Sequence, residues 1–519
     1  MAGHGIWAIN GTYPKRQGTD VEILIDGEEA YRKISDAFHR AKKFIYLTIS
    51  YGDPHFLLVP ERIEIFFDVL RTRQKDGVDV RMVVWQPALK TDDTIPDPAP
   101  IKIPGVNEGP GCIQARWDET KGYHGLYKSP QGLFEPWLVE LPAFLGCHHQ
   151  KTYIMDDGCD GYVAFVGGIN PVQFYWDTPE HDVLNKGRVK LGGDPLKGLE
   201  DNPPLHDIFF RIKGPAVADV LSNFIERYNG ASIPYRDVTS DVLAPPVTLD
   251  QIKEAPGGIE VQVVRTIAPD TYQTSLKGDQ GIRELYFNML GAANAGDLVY
   301  IENQYFFDHG IVAEIHEAAE RGAKIIVVLT SKPDEGTLQG KVENKLEEHY
   351  EYKESCPSVS GHENVGLFTL GNYRSDPRDP KTLIISETYI HSKNMAVIGD
   401  QWAVMTGGSA NIAFTSMWFH SEMNIAFTDI VRINNWVATL WKEHLGISLE
   451  DALALIKKPD EALNSFKKQA QWNTAALTNG QTPKGRVYEK EGTVFPPRNL
   501  AGIDLGNVHV KNVIAKSRG

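Results

Sequence analysis

The hydrophobic positions of this chain fall into two matching series. Residues 37–51, AFHRAKKFIYLTISY, read as the end of a helix running into a buried strand, and residues 289–306, MLGAANAGDLVYIENQYF, read the same way. In each case a helix-like stretch leads on to a glycine and a short apolar run, GVDVRMVVW at 77–85 and GAKIIVVLT at 322–330. Runs of that length after a helix predict parallel strands covered on both faces. A βαβ unit with a right-handed crossover is therefore expected in each half.

The repeat continues beyond these units. HHQKTYIMDD (148–157) leads to VGGIN ending at Asn170, and HSKNMAVIGD (391–400) leads to TGGSAN ending at Asn411. His149 and His391 are 242 positions apart and Gly77 and Gly322 are 245 apart, as expected of a duplicated domain with small loop changes. Two copies of one α/β unit facing each other is the simplest architecture. The first half spans 15–243 with a long insertion at 86–146, and the second spans 259–455 with an insertion at 331–389. Between them, residues 244–258 are rich in Pro and Gly and read as a linker. Insertions of this length serve as lids or binding loops in many proteins. The tail, 456–519, starts helically and turns polar and irregular after Asn479.

The repeated HxK motifs carry the candidate chemistry. Residues i and i+2 of a strand point the same way, so His149 would project with Lys151, and His391 with Lys393. Each motif is followed by a second apolar strand, YVAFV or WAVMT, that ends in two glycines, Gly167 and Gly168 or Gly407 and Gly408. Glycine permits close backbone approach there, and Asn170 and Asn411 would emerge beside the lysines. Each half thus offers an imidazole, an ammonium and an amide on one edge, and pairing the halves doubles the set. Such a set suits a phosphodiester. The lysines and amides can hold the non-bridging oxygens and the charge of the transition state. A neutral imidazole can attack phosphorus while a protonated one supplies the leaving oxygen. No metal is required, because ammonium groups carry the charge. A zinc site from His148 and His149 is disfavoured, since adjacent strand residues face opposite sides.

Bulk composition narrows the partners. The 519 residues carry a net charge of −15, which argues against nucleic acid and against broad adhesion to anionic membranes. The four cysteines (Cys112, Cys147, Cys159 and Cys356) form no CxxC or dense framework and read as free thiols. No apolar run resembles a signal peptide or is long enough to span a bilayer. A cytoplasmic or peripheral membrane location is the expectation, with export by a route lacking a cleavable signal left open.

At these motifs the sequence resembles the phospholipase D superfamily, whose signature is a duplicated HxKxxxxD, here His149, Lys151 and Asp156 in the first copy. YIENQYF (300–306), LHDIFFRIKGPAV (205–217), SEMNIAF (421–427) and LWKEHLG (440–446) resemble phospholipase D proper, over roughly residues 15–450. The resemblance implies two α-β-α sandwich halves related by a pseudo-two-fold axis, with the active site at their interface. It implies His149 as nucleophile and His391 as acid and then base, with Lys151, Lys393, Asn170 and Asn411 on the phosphate. It also places a carboxylate behind each histidine, at Asp207 and Glu422. An imidazole gains orientation and basicity from such a partner. No separate lipid-targeting module is evident, as in minimal microbial members. One position departs from the pattern: the second copy has Ile398 where aspartate is expected, with Asp400 two places on. The equivalent Asp156 reads as a turn residue, so activity should survive.

The implied reaction hydrolyses a phospholipid such as phosphatidylcholine to phosphatidic acid and head group, with transfer to alcohols as a by-path. No cofactor is implied, and calcium dependence is open. A nuclease or other phosphodiesterase of the same superfamily is the alternative. Phe134, Trp137, Leu138 and Phe144 in the first insertion, and Met417, Trp418 and Phe419 in the second copy, could dip into lipid, although such clusters are more often core.

Overall fold

In a computed structural model, the structure describes residues 5–86, 114–119, 147–189, 203–231, 242–331, 359–479, 481–490 and 503–504, less a few positions within those ranges. The fold is α/β, and two copies of one sheet lie at its centre. In the first, strand Phe44–Ile49 pairs parallel with Asp79–Gln86, which pairs parallel with Gln114–Glu119. On its other edge follow the antiparallel strands Lys151–Asp156, Tyr162–Gly167 and Ile208–Lys213. The second sheet repeats this order with Leu298–Asn303, Lys324–Leu329 and Val365–Asp376 in parallel, then Asn394–Ile398, Ala403–Gly408 and Glu422–Phe427.

Strand Lys15–Ile25 joins the two sheets. Asp20 to Ile25 pair with Lys213 to Ile208, while Lys15, Arg16 and Thr19 pair with Gln262, Val261 and Ile259 of the other half. Just before the change of partner, the register shifts between Arg16 and Thr19, where Gly18 has a φ of +74° in the left-handed region. A side chain there would also run into Glu254, so glycine is needed twice over.

Three apolar layers enclose the sheets. Phe44 and Tyr46 face a central layer, whereas Ile45, Leu47 and Ile49 face an outer one with helices Asp26–Arg40 and Phe66–Lys75. In the second copy Leu298 and Tyr300 face the same central layer, while Val299 and Ile301 face helices Gly281–Ala292 and His309–Glu320. This explains why the central strands read as unbroken apolar runs, since both of their faces are buried. Helices Val217–Gly230 and Ile430–Leu445 fill the middle: Tyr46 stacks on Phe224 at 4.9 Å, and Tyr300 packs edge-on to Trp436 and Trp441 at 5.9 Å. The order is thus helix, sheet, shared helical layer, sheet, helix.

Some boundaries differ from the sequence reading. The stretch read as the insertion 331–389 contains the third parallel strand of its sheet and the long partner strand Asp379–Ile390. The two strands of this hairpin close on the pair Asp376 and Asp379. The segment read as a linker buries Val247 and Ile252 in the central layer. The tail contributes helix Pro459–Asn479 and a short strand, Val487–Glu489, paired with Val365–Asp376. Cys147 is a buried free thiol and Cys159 an exposed one. Cys112 and Cys356 lie outside the described residues, as do Phe134, Trp137, Leu138 and Phe144. Met417 and Trp418 are buried in the second outer layer with Phe419 packed against it, so the core reading of that cluster holds. Among the described residues no helix is long and apolar enough to cross a membrane.

The HxKxxxxD aspartate is explained by what its carboxylate holds. Asp156 accepts the backbone N–H groups of Lys42, Lys43 and Phe44 at 2.8–3.1 Å, closing the turn between helix Asp26–Arg40 and its strand. In the second copy Asp297 closes the equivalent turn by accepting from Asn294 N at 3.0 Å. Ile398, paired with Leu298, is thereby free to join the central core. Removing the Asp156 carboxylate leaves those amides with fewer partners. Asp156→Ala should therefore cost about 3 kcal/mol of stability, read as a lower urea midpoint. An unchanged midpoint would assign the turn to other contacts.

Candidate active site

Each HxK motif leaves its own sheet at the histidine and runs beside the other half. His148 and His149 lie just before strand Lys151–Asp156, and His149 N donates to Ser421 O at 2.9 Å while Ser421 N donates to Cys147 O at 2.9 Å. Likewise His391 N donates to His206 O at 2.8 Å and Tyr389 N to Pro204 O at 2.7 Å. The histidines thus stand at strand ends rather than within strands, because their backbones are spent on the crossing. Ser421 and His206 immediately precede Glu422 and Asp207. The crossing therefore presents each imidazole to the carboxylate of the opposite copy.

The side chains complete that exchange. His149 Nδ1 lies 3.0 and 3.1 Å from the Glu422 carboxylate oxygens, and His391 Nδ1 lies 2.6 Å from Asp207 Oδ2. Both carboxylates are fully buried. Asp207 also accepts its neighbour Ile208 N at 2.8 Å, and Glu422 accepts Ser409 Oγ at 2.5 Å. With Nδ1 engaged, Nε2 of each ring is left as the working nitrogen. Tyr175 Oη lies 3.5 Å from His391 Nε2 and 2.7 Å from Tyr51 Oη. His149 retains 20 % of its side-chain exposure against 6 % for His391, so it is the more open of the two rings.

The lysines flank the same crossing. Lys151 is fully buried, and its ammonium donates to His149 O at 2.7 Å. Lys393 is buried too, donating to His391 O and, at 3.2 Å, to Gln304 Oε1. Asn170 Oδ1 accepts Ser50 N at 3.1 Å, whereas its Nδ2 is buried with no hydrogen-bond partner. Asn411 Oδ1 is likewise buried and unpartnered; a half-turn of the amide exchanges its oxygen for an N–H donor. Gly167 is the last residue of its strand and Gly407 the next to last of its own. A Cβ on Gly168 would lie 2.8 Å from Asp207 Oδ2, and one on Gly408 would lie 2.1 Å from Met423 O. The second glycine of each pair is thus what lets the carboxylate segment lie against its strand.

The electrostatics differ between the copies. Burial, opposed by Glu422 and reinforced by Lys151, brings the His149 imidazole down to about 4. Burial followed by Lys393, Lys151 and His149 itself holds His391 well below its ordinary value, so the two rings feel each other's charge. Burial also raises Asp207 to about 7, while Glu422, despite burial, is held well below the carboxylate range by His149 and His420. The site is therefore poor in positive charge on its imidazoles and rich in ammonium, the arrangement an anion would complete.

Sequence reasoning missed Tyr175, Gln304, Ser409 and His420, whose Nδ1 lies 3.6 Å from Glu422 Oε1. Ser409 stands inside TGGSAN and His420 directly before SEMN, so the motifs did point at them. Tyr175 has no counterpart in the repeat and left no signal.

Comparison with known proteins follows the same line. The phospholipase D family model matches residues 37–348, more than half of the chain. Phospholipase D A of Dictyostelium discoideum is 24 % identical over 506 residues, covering 84 % of this chain and 36 % of its own. Phospholipase D beta 1 of Arabidopsis thaliana is 24 % identical over 677 residues, covering 99 % and 60 %. The chain thus spans between about a third and two thirds of the length of these relatives. Among solved structures, the phosphatidylserine synthase of Haemophilus influenzae Rd KW20 aligns over 88 % of this chain and 96 % of its own, at 13 % identity and a TM-score of 0.48.

The buried ammonium of Lys151 generates a prediction. Burial lowers its pKa to about 8, so the charge is present below that pH and lost above it. Affinity for sulfate, whose own charge is constant over this range, should fall as pH rises through about 8. Calorimetric titration at pH 6 to 10 checks it, and Lys151→Met should flatten the dependence.

Proposed function

Because the chain belongs to the phospholipase D family, we propose that it cleaves a phosphodiester through a phosphohistidine, and that its substrate is a phospholipid of the phosphatidylcholine type. The observation that carries this reading is the pair of crossed bonds from His149 to Glu422 and from His391 to Asp207, with two buried lysines beside them. Two imidazoles fixed through Nδ1 in one electrostatic field, ringed by ammonium and amide groups, are what an in-line displacement at phosphorus needs.

In this reading the phosphate oxygens lie against Lys151, Lys393, Asn170 and Asn411, where the unpartnered Asn170 Nδ2 would find its acceptor. His149, neutral over the working pH range, attacks phosphorus through Nε2. The bond from phosphorus to the head-group oxygen breaks, and that oxygen takes the proton of His391 Nε2. Glu422 accepts the Nδ1 proton of His149 and stabilises the cation that forms. In the second half-reaction the now neutral His391 takes a proton from water. The water oxygen attacks phosphorus, and the bond to His149 breaks to give phosphatidic acid. An alcohol in place of water gives transphosphatidylation by the same steps. Asp207 and His391 hold one proton between them, and the incoming phosphate charge favours its residence on His391.

The roles are separable by labelling. With a substrate carrying ³²P, His391→Ala should accumulate label on His149 and slow turnover by about 10²–10⁴-fold. His149→Ala should take up none, and label on His391 in the native enzyme would reverse the assignment.

Substrate class is tested on the unaltered enzyme with vesicles of phosphatidylcholine and with supercoiled DNA. Choline release without nicking is the expected outcome. Nicking without choline release would transfer the same site to a nuclease.

A further inference from the structure

Beneath the active site lies a second cluster of ionisable groups that the reaction does not use. Asp26, Asp177, His181, Arg188, His206 and Glu302 are all fully buried there, with Glu443 close by. Two atoms facing each other in it, Asp26 Oδ2 and His181 Nε2, have no hydrogen-bond partner. They are 3.5 Å apart, and His181 Nε2 is 3.4 Å from Glu443 Oε1. These separations are long for hydrogen bonds. They match the edge of a tetrahedron built on zinc bonds of about 2.0–2.1 Å, which is about 3.4 Å. One ligand atom from each of Asp26, His181 and His206 lies within 4.8 Å of the other two.

The surroundings are those of a metal shell. His181 Nδ1 is 3.2 Å from Asp177, itself paired with Arg188 at 2.8 Å, and His206 Nε2 is 3.1 Å from Glu302. Each ring therefore has a carboxylate at its far nitrogen and turns its near nitrogen toward Asp26, His206 Nδ1 lying 2.9 Å from Asp26 Oδ1. A carboxylate behind each histidine is how metal-ligating imidazoles are oriented. Of the four carboxylates here, Asp177 pairs with Arg188 and Glu443 with Arg486, whereas Asp26 and Glu302 are paired with imidazoles. An ion at Asp26 would supply positive charge there in place of protons on His181 and His206. Strain marks the same place, for among non-glycine residues Asp26 (φ +63°) and His181 (φ +45°) both adopt left-handed backbone. Such conformations persist where something holds them.

We propose that Asp26 Oδ2, His181 Nε2 and His206 Nδ1 form a buried three-residue site for a divalent transition-metal ion, with zinc as the fitting candidate. Two imidazole ligands favour zinc over calcium or magnesium. The site is structural. It abuts the active site, because Asp26 N donates to Asp207 O at 2.8 Å and Asp26 Oδ1 accepts Asp207 N at 3.2 Å. A second group, His316, Glu320 and His362, lacks this fitness. There His362 Nδ1 accepts Asn364 N at 3.1 Å, so Nε2 carries the proton that Glu320 receives and has no lone pair for an ion.

The test is metal content. Full-length enzyme from zinc-supplemented medium, dialysed against metal-free buffer, should hold about one zinc per chain by mass spectrometry. His181→Gln and Asp26→Asn should each retain less than a tenth of that, while the His316→Ala, His362→Ala double variant retains it. Should the buried variants fail to fold, wild-type enzyme refolded with Co²⁺ should show the intense visible bands of a tetrahedral ion. Metal-free wild-type enzyme, zinc that survives His181→Gln, or zinc lost from the double surface variant would each overturn the proposal.

Discussion

Everything in this molecule is arranged around an exchange of carboxylates between its two halves. A buried carboxylate without a partner is among the most expensive groups a fold can hold. Asp207 and Glu422 each meet that cost with an imidazole from the opposite copy. The backbone crossings at Ser421 and His206 and the glycine that follows each strand serve to bring those pairs into register. Neither half pairs the histidine of its own HxK motif with a carboxylate of its own. The duplication is therefore a division of one site into complementary parts, and the interface between halves and the candidate active site are one feature.

The symmetry is broken where chemistry benefits. His149 is the more open ring, with its carboxylate held ionised, whereas His391 sits deeper against a carboxylate whose pKa burial has raised to about 7. Two histidines with the same motif thus acquire different protonation behaviour, and environments that push paired groups apart are how one site runs both acid and base steps. Tyr175, beside His391 and absent from the other copy, adds to the difference. The turn aspartates show a break of another kind. Asp156 and Asp297 close equivalent turns from different positions, so the second motif lost its aspartate without losing its turn.

Much of this was legible from the chain. The central strands announced themselves because burial on both faces leaves no polar alternation, and the site residues did so because each motif occurs twice. The crossing was not legible. Period-two logic placed His149 and His391 inside strands, while in the folded chain their amides bind the other half, and no local pattern encodes a partner some 180 to 270 residues away. The hairpin 365–390 was hidden because its stretch of sequence is rich in aspartate and proline, residue types that read as loop although Asp376 and Asp379 pair within the sheet. The cluster around Asp26 went unseen for a related reason. Its members are scattered through the sequence and only the fold assembles them.

Strand Lys15–Ile25 carries a consequence for how the protein is made. Its first residues belong to the far sheet, pairing Lys15 with Gln262 and Arg16 with Val261. As the chain leaves the ribosome, this segment must wait through the synthesis of some 245 residues before its partner exists. Contacts so distant in sequence slow folding, and an exposed strand edge waiting that long invites capture by other nascent chains. Strand Lys15–Ile25 thus completes its pairing only once residues 259–262 have been made.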